Sequence, residues 1–140
     1  MAKSVREIDR DDNIYVGVKF PLEYNRVDGF FPQSKTVREQ SKSNLRNLLL
    51  TSPGERVMQP EFGSNLKAIL FDSFDDVSSD NIEEAIREAV NRQLPYITIN
   101  EVIVIQDSQA ENRILVSVDY FTTLEPDTLD SLSLEFNIGE

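Results

Sequence analysis

The stretch GERVMQPEFG, residues 54–63, connects two segments with helical spacing and combines two acids, one base, one proline and two glycines. One interpretation is a catalytic pair formed by Glu55 and Glu61. Glycoside hydrolysis needs carboxyl groups about 5–5.5 Å apart for retention, or about 6.5–9.5 Å apart for inversion. A six-residue separation permits these distances without specifying them. Arg56 lies beside Glu55 and would favour ionised acids, which is unfavourable for a general acid.

The structural interpretation explains more of the same residues. Gly54 and Gly63 can adopt positive φ angles where one helix stops and the next begins. Arg56 is predicted to bind a carboxylate or the carbonyls of a helix end. Three apolar side chains are predicted to anchor the segment to the core, namely Val57, Met58 and Phe62. We therefore interpret residues 54–63 as a rigid elbow between helices, with no catalytic residue.

The segments before the elbow predict a tail, a strand and a helix. Residues 1–13 are polar and are expected to form a flexible tail, followed by one domain over residues 14–140. The alternation from Ile14 to Phe20 predicts a short strand that Pro21 ends or restricts to a sheet edge. Phe30 and Phe31 are expected to pack on the core. Thr36 and Glu39 form a capping box, and the helix that they open ends before Pro53.

The segments after the elbow predict two helices and three strands. Ser64 is a candidate cap for a short helix, and Asp80 with Glu83 for a longer one that ends at Pro95. Three stretches with a period of two follow, ITINEVIVIQD, NRILVSVDYFT and TLDSLSLEFNI, separated by turns at 107–112 and 123–128. Helices followed by consecutive strands predict an α+β fold with an antiparallel three-stranded meander.

The last predicted strand has one apolar face and is expected to be an edge strand. An edge strand presents unpaired N–H and C=O groups to another chain, although pairing only within its own sheet is the simpler alternative. The residues of the apolar face are Leu132, Leu134, Phe136 and Ile138.

Composition excludes several classes of function. The chain has 140 residues, a net charge of −11 and neither cysteine nor histidine, which removes thiol chemistry and the commonest general base and metal ligand. The acid-rich stretch at 72–80 lacks the glycine and the distal glutamate of a calcium loop, so we predict no metal or other cofactor. The acidity argues against nucleic-acid binding, and no apolar run reaches the roughly 20 residues of a membrane span. We expect a soluble, cytoplasmic protein.

The stretch LLLTSPGERVMQPEFGSNLKAILF, residues 48–71, resembles the baseplate wedge, or sheath-initiator, proteins of contractile phage tails and their type VI secretion relatives. The similarity continues through the helix at 80–94 and the strands, and it covers roughly residues 14–138. It implies a small α+β protein that acts in assembly at the inner baseplate, in six copies around the tube. Residues implied in the fold and in wedge contacts are Gly54, Glu55, Arg56, Pro60, Glu61, Phe62 and Gly63.

The resemblance also implies partners: other wedge proteins, tube-proximal baseplate proteins, and the tail sheath protein, which would pair with the last strand. The protein is expected to be a monomer in isolation, assembled into tails in the host cytoplasm. Two alternatives stay open, an adaptor-binding regulator of similar fold and a lysozyme-like glycosidase, a label that some relatives carry.

Overall fold

The computed structural model describes residues 10, 14–27, 29–72, 79–106 and 113–137. It divides the chain into two compact units, the first ending at Asn47 and the second beginning at Leu48, and the boundary lies inside one helix. The predicted tail apart from Arg10, the predicted loop at 107–112, most of the acid-rich stretch at 72–80, and Ile138 lie outside the described residues. The single domain over 14–140 stays a prediction.

The first unit contains a two-stranded sheet. Strand β1 (Gly17–Val18) pairs antiparallel with β2 (Gln33–Ser34), so the N-terminal strand is present but shorter than its alternation suggested. Backbone hydrogen bonds extend the pairing, because Val16 N donates to Ser34 O at 2.9 Å and Lys19 N donates to Pro32 O at 2.8 Å.

The prediction that Phe30 and Phe31 pack on the core is wrong. Their exposed fractions are 75% and 64%. The chain reverses between Asn25 and Gly29, which exchange backbone hydrogen bonds of 2.8 and 3.0 Å. The Phe30 ring contacts the Tyr24 ring at 5.1 Å between centroids, so the aromatic residues of this turn contact each other at the surface.

Helix α1 (Val37–Leu50) begins with the predicted capping box. Glu39 N donates to Thr36 Oγ1 at 3.1 Å, and the Glu39 carboxylate accepts from Lys35 N at 3.2 Å, which supplies partners for N–H groups at the helix start. The predicted apolar face is buried at Leu45, Leu48 and Leu49.

The second unit contains two further helices, α2 (Leu66–Asp72) and α3 (Ser79–Gln93). Helix α3 begins one residue before the predicted cap, so Asp80 lies in the first turn. Its negative charge interacts favourably with the helix dipole there. It packs on α2 and on the sheet through a buried stripe, Ile82, Ile86, Ala89 and Val90. No helix in the described parts of the chain is long and apolar enough to span a bilayer.

Three antiparallel strands in the order β3-β4-β5 confirm the α+β fold and the meander: β3 (Ile97–Gln106), β4 (Arg113–Thr122) and β5 (Glu125–Asn137). The turn predicted over residues 123–128 is shorter in the structure. Thr122 pairs with Glu125, so only Thr123 and Leu124 connect the strands. Pro126 lies within β5, which is compatible with its place at the edge of the sheet.

Strand β3 contains a register shift between Ile99 and Glu101. A one-residue shift moves the following side chains to the opposite face. Ile97 and Ile99 are buried, whereas Ile103 and Ile105 have exposed fractions of 42% and 51%. The Arg87 side chain on α3 binds this irregular segment, since Nη1 donates to Ile99 O at 2.8 Å and Nη2 donates to Asn100 O at 3.2 Å.

Candidate functional site

The elbow, residues 54–63, is closed by hydrogen bonds at its base. Gly54 N donates to Pro60 O at 2.8 Å, and Ser64 N donates to Thr51 O at 2.9 Å. Gly54 has φ 92° and Gly63 has φ 132°, which confirms the positive φ angles predicted for both. Because the two ends are linked, the elbow is a compact loop with a defined shape.

Gly63 is required for a second reason. A Cβ atom at this position would lie 2.6 Å from the carbonyl oxygen of Thr51 and 2.9 Å from the nitrogen of Pro53, and both are backbone atoms. Any larger residue would therefore separate the two segments that form the base of the elbow.

Ser64 does not cap helix α2 as predicted. Its hydroxyl donates to the carbonyl oxygen of Leu49 at 3.0 Å, in a buried position, and so supplies a partner for the end of helix α1. The first helical hydrogen bond of α2 joins Ile69 N to Asn65 O, which makes Asn65 the N-cap residue. The serine thus terminates one helix, and the following asparagine starts the next.

Arg56 has different partners from those predicted. Its guanidinium carbon lies 3.8 Å from the centroid of the Phe62 ring, and Nη1 donates to Gln59 Oε1 at 3.4 Å. The guanidinium therefore stacks on an aromatic face, an arrangement that its planar, weakly hydrated head favours. The contact joins the segment before the tip of the elbow to the segment after it, and we call these segments the two arms of the elbow.

The prediction that Val57 and Met58 anchor the elbow to the core is wrong. Their exposed fractions are 93% and 92%, and they form the tip of the elbow. The turn between the arms directs both away from the core, while Phe62 is half-buried under Arg56. The tip of the elbow therefore exposes two apolar side chains.

The two acids of the elbow have separate neighbours. Glu55 approaches Lys67 of helix α2 at 4.0 Å, and the Glu61 side chain is exposed. Helix α3 holds the second arm by its backbone, because Gln93 Nε2 donates to Glu61 O and Arg92 Nη2 donates to Gly63 O, both at 3.4 Å. The contacts found for Arg56, with Phe62 and Gln59, are not the carboxylate or helix-end carbonyls that were predicted. Sequence inspection missed Arg92 and Gln93, whose only signal is their position in the last turn of α3.

Strand β5 forms the second candidate surface. Leu132, Leu134 and Phe136 have exposed fractions of 2%, 2% and 6%, and they lie opposite Val118, Val116 and Ile114 of β4. Their side chains are therefore part of the core, as the alternation predicts, and they are not available to a partner. Strand β5 presents its backbone edge and the exposed side chains that alternate with the buried ones, Ser131, Ser133 and Glu135.

The α+β fold is the one that the resemblance to baseplate wedge proteins implies. Residues 35–127 match the family described as "Baseplate wedge protein gp25", so the chain belongs to this family. It is a baseplate wedge component of contractile injection systems. A curated relative, the baseplate wedge protein gp25 of Enterobacteria phage T4, is 27% identical over 97 residues, which cover 67% of this chain and 70% of the relative.

Two solved structures share the fold. A proposed tail lysozyme from Geobacter sulfurreducens has a TM-score of 0.64 at 27% identity and covers 75% of this chain and 94% of its own. A chain in the baseplate of the anti-feeding prophage has a TM-score of 0.55 at 24% identity and covers 88% of this chain and 85% of its own. These structures show the fold, while the family match and the phage T4 relative confirm the resemblance to baseplate wedge proteins.

Proposed function

We propose that this chain is a non-enzymatic wedge component that binds other wedge proteins through the elbow and offers the edge of β5 to the tail sheath protein. The observation that carries the proposal is the one-sided pairing of β5. Its residues from Asp130 to Asn137 pair without interruption with β4, and β5 has no second neighbour among the described strands.

Strand addition suits a sheath-initiating role. About every second residue of an antiparallel edge strand directs its N–H and C=O groups away from its neighbour, so β5 presents a row of backbone groups to a partner strand. Main-chain hydrogen bonds would supply affinity, and the alternating exposed side chains would fix the register. Each new hydrogen bond contributes about 0.5–1.5 kcal/mol net.

Several copies acting together would make such weak pairing sufficient to bind the sheath protein. Six copies held by other wedge proteins around the tube would present six edges at once and template the first ring of sheath subunits, whose binding would gain from avidity. In isolation the chain is expected to be a monomer. Tube-proximal baseplate proteins are additional partners in this arrangement, which would be assembled in the host cytoplasm.

The exposed tip of the elbow supports the wedge contact. Val57 and Met58 are held on a loop closed by backbone hydrogen bonds, so little conformational freedom remains to be lost when a partner covers them. Methionine adapts its shape to irregular pockets, which is useful at a binding surface.

Hydrogen exchange of the edge tests the sheath contact. Deleting β5 would not test it, because three of its side chains are buried in the core and the second unit would unfold. Amide exchange over residues 130–137 should be compared among the free chain, assembled baseplates without sheath, and complete tails. We expect additional protection only when sheath is present. Unchanged exchange after sheath assembly would refute the edge as its docking strand.

The relative described as a tail lysozyme calls for an enzymatic test. We expect the purified chain to release no soluble fragments from peptidoglycan, with Glu55→Gln and Glu61→Gln as controls. Cleavage that disappears in either variant would overturn the non-enzymatic assignment.

A further inference from the structure

The first unit presents a second apolar surface, distinct from the elbow and from β5. Nine large apolar side chains between Tyr15 and Phe31 are exposed, and the largest exposed fractions belong to Val27 at 85%, Phe30 at 75% and Tyr24 at 66%. Contiguous exposed apolar patches mark interaction sites, and two of these side chains, Tyr24 and Phe30, contact each other at the surface. These residues precede residue 35, where the match to the wedge family begins.

Charge is distributed unevenly along the chain. Residues 14–47 contain six Lys or Arg and three Asp or Glu, a net charge of +3, whereas residues 48–140 contain five and eighteen, a net charge of −13. The exposed aromatic side chains of the first unit therefore lie among basic residues in a chain that is otherwise strongly acidic. The net charge of −11 for the whole chain does not reveal that its two parts carry charges of opposite sign.

The surface is folded. Ser34 Oγ donates to Gly17 O at 3.1 Å and contacts Gln40, and Phe20 N donates to Ser43 Oγ at 3.2 Å. These contacts fix the two-stranded sheet to the start of helix α1. The exposed rings are thus presented by an ordered backbone, which lowers the entropic cost of binding.

A groove of about 530 Å³ runs along this surface, and its lining includes Lys19, Tyr24, Pro32 and Lys35. Glu39, which also lines it, is already engaged by Lys19 at 3.7 Å and by the backbone of Lys35. The Lys35 ammonium lies 5.7 Å from the Tyr15 ring. The groove therefore contains one aromatic ring, Tyr24, together with two lysines, Lys19 and Lys35, and two glutamates, Glu23 and Glu39.

We propose that this surface docks another protein of the baseplate, through a patch that is apolar at its centre and acidic at its rim. Aromatic residues and arginine dominate the energetically important part of protein interfaces, and complementary charge at the rim guides the encounter. At long range the net charge of −11 disfavours an anionic membrane and a second copy of the chain, and it also opposes an acidic partner, so charge complementarity acts at contact. Charges farther away than a Debye length of about 8–10 Å are largely screened, and residues 14–47, which include this surface, carry a net charge of +3.

The proposal does not depend on the elbow or on β5, and its experiment is separate. Hydroxyl-radical footprinting should compare the free 140-residue chain with assembled tails that contain it. Oxidation of Tyr24, Phe30 and Phe31 is expected to fall at least fivefold on assembly. A water-soluble carbodiimide, which joins amines to carboxylates in contact, is expected to link Lys19 or Lys35 to an acidic residue of a different baseplate protein.

Matched variants complete the test. Phe30→Ser combined with Phe31→Ser should leave the melting temperature within about 4 °C of the parent, because each surface substitution changes stability by about 0.5 kcal/mol or less. The double variant should reduce incorporation into tails at least tenfold. The control Leu124→Ser, an apolar residue exposed to 48% in the second unit, should incorporate normally.

Three results would overturn the proposal. The first is oxidation of the three rings that assembly does not change. The second is crosslinking of Lys19 or Lys35 only to a second copy of this chain. The third is sedimentation of the free chain with vesicles of phosphatidylglycerol and phosphatidylcholine that Phe30→Ser/Phe31→Ser abolishes, because the surface would then be a membrane contact.

Discussion

The guanidinium of Arg56 lies 3.8 Å from the centroid of the Phe62 ring, and this contact joins the two arms of the elbow. The predicted partners of Arg56 were a carboxylate or the carbonyls of a helix end. A cation on an aromatic face contributes about 0.5–1 kcal/mol at an exposed site. The stacking therefore stabilises the elbow modestly, while the backbone hydrogen bonds and the glycines determine its path.

Arg56→Ala is expected to lower the free energy of unfolding by about 0.5–1 kcal/mol, because it removes the stacking on Phe62. Urea denaturation of Arg56→Ala, Phe62→Leu and the double variant measures the coupling between the two side chains. Arg56→Lys is the control that keeps the charge and loses the planar head. Additive effects of the two single substitutions would show that the stacking contributes nothing.

Gly63→Ala is expected to be much more harmful than Gly54→Ala. Both glycines have positive φ, but only at Gly63 would a Cβ lie 2.6 Å from a backbone oxygen, whereas nothing lies within 4 Å at Gly54. We expect a loss of about 3 kcal/mol at Gly63 and about 1 kcal/mol at Gly54, within the range for strained backbone conformations. Thermal unfolding of the two variants measures the difference. Equal losses of unfolding free energy in the two variants would mean that the positive φ angle alone accounts for the need for glycine at both positions.

Arg87→Ala is expected to destabilise the irregular segment of β3. Arg87 donates to the carbonyls of Ile99 and Asn100 and pairs with Glu83 at 2.7 Å. Hydrogen bonds that involve a charged group contribute about 1.5–3 kcal/mol, while a helical i,i+4 pair contributes about 0.3–0.5 kcal/mol. Glu83→Gln should therefore cost far less than Arg87→Ala. Amide exchange of residues 97–101 measures the local effect, and equal exchange in both variants would contradict this assignment.

Val57→Asp combined with Met58→Asp is expected to leave stability unchanged and to prevent incorporation into baseplates. Both side chains are more than 90% exposed, so the isolated protein loses no packing, but charged groups at the tip would oppose burial against a partner. Leu124→Asp is the matched control at another exposed apolar position. Sedimentation of assembled tails measures incorporation, and normal incorporation of the double variant would exclude the tip as a wedge contact.

Features with a local cause were predictable from the sequence. The capping box at Thr36 and Glu39 forms because residues three positions apart meet in the first helical turn. Gly54 and Gly63 mark positive φ angles because only glycine adopts them without strain. The burial of Leu132, Leu134 and Phe136 follows from the alternation of side chains along a strand.

Features that depend on distant segments were decided by the tertiary structure alone. Whether Val57 and Met58 point into the core depends on the path of the elbow between two packed helices. The choice of Arg56 between a carboxylate and the Phe62 ring depends on which partner the closed loop brings near. The reversal of faces in β3 depends on pairing with β4, and Ser64 binds Leu49 because the base of the elbow brings two helix ends together. Residues that are distant along the chain compete as partners, and only the packed fold determines which of them meet.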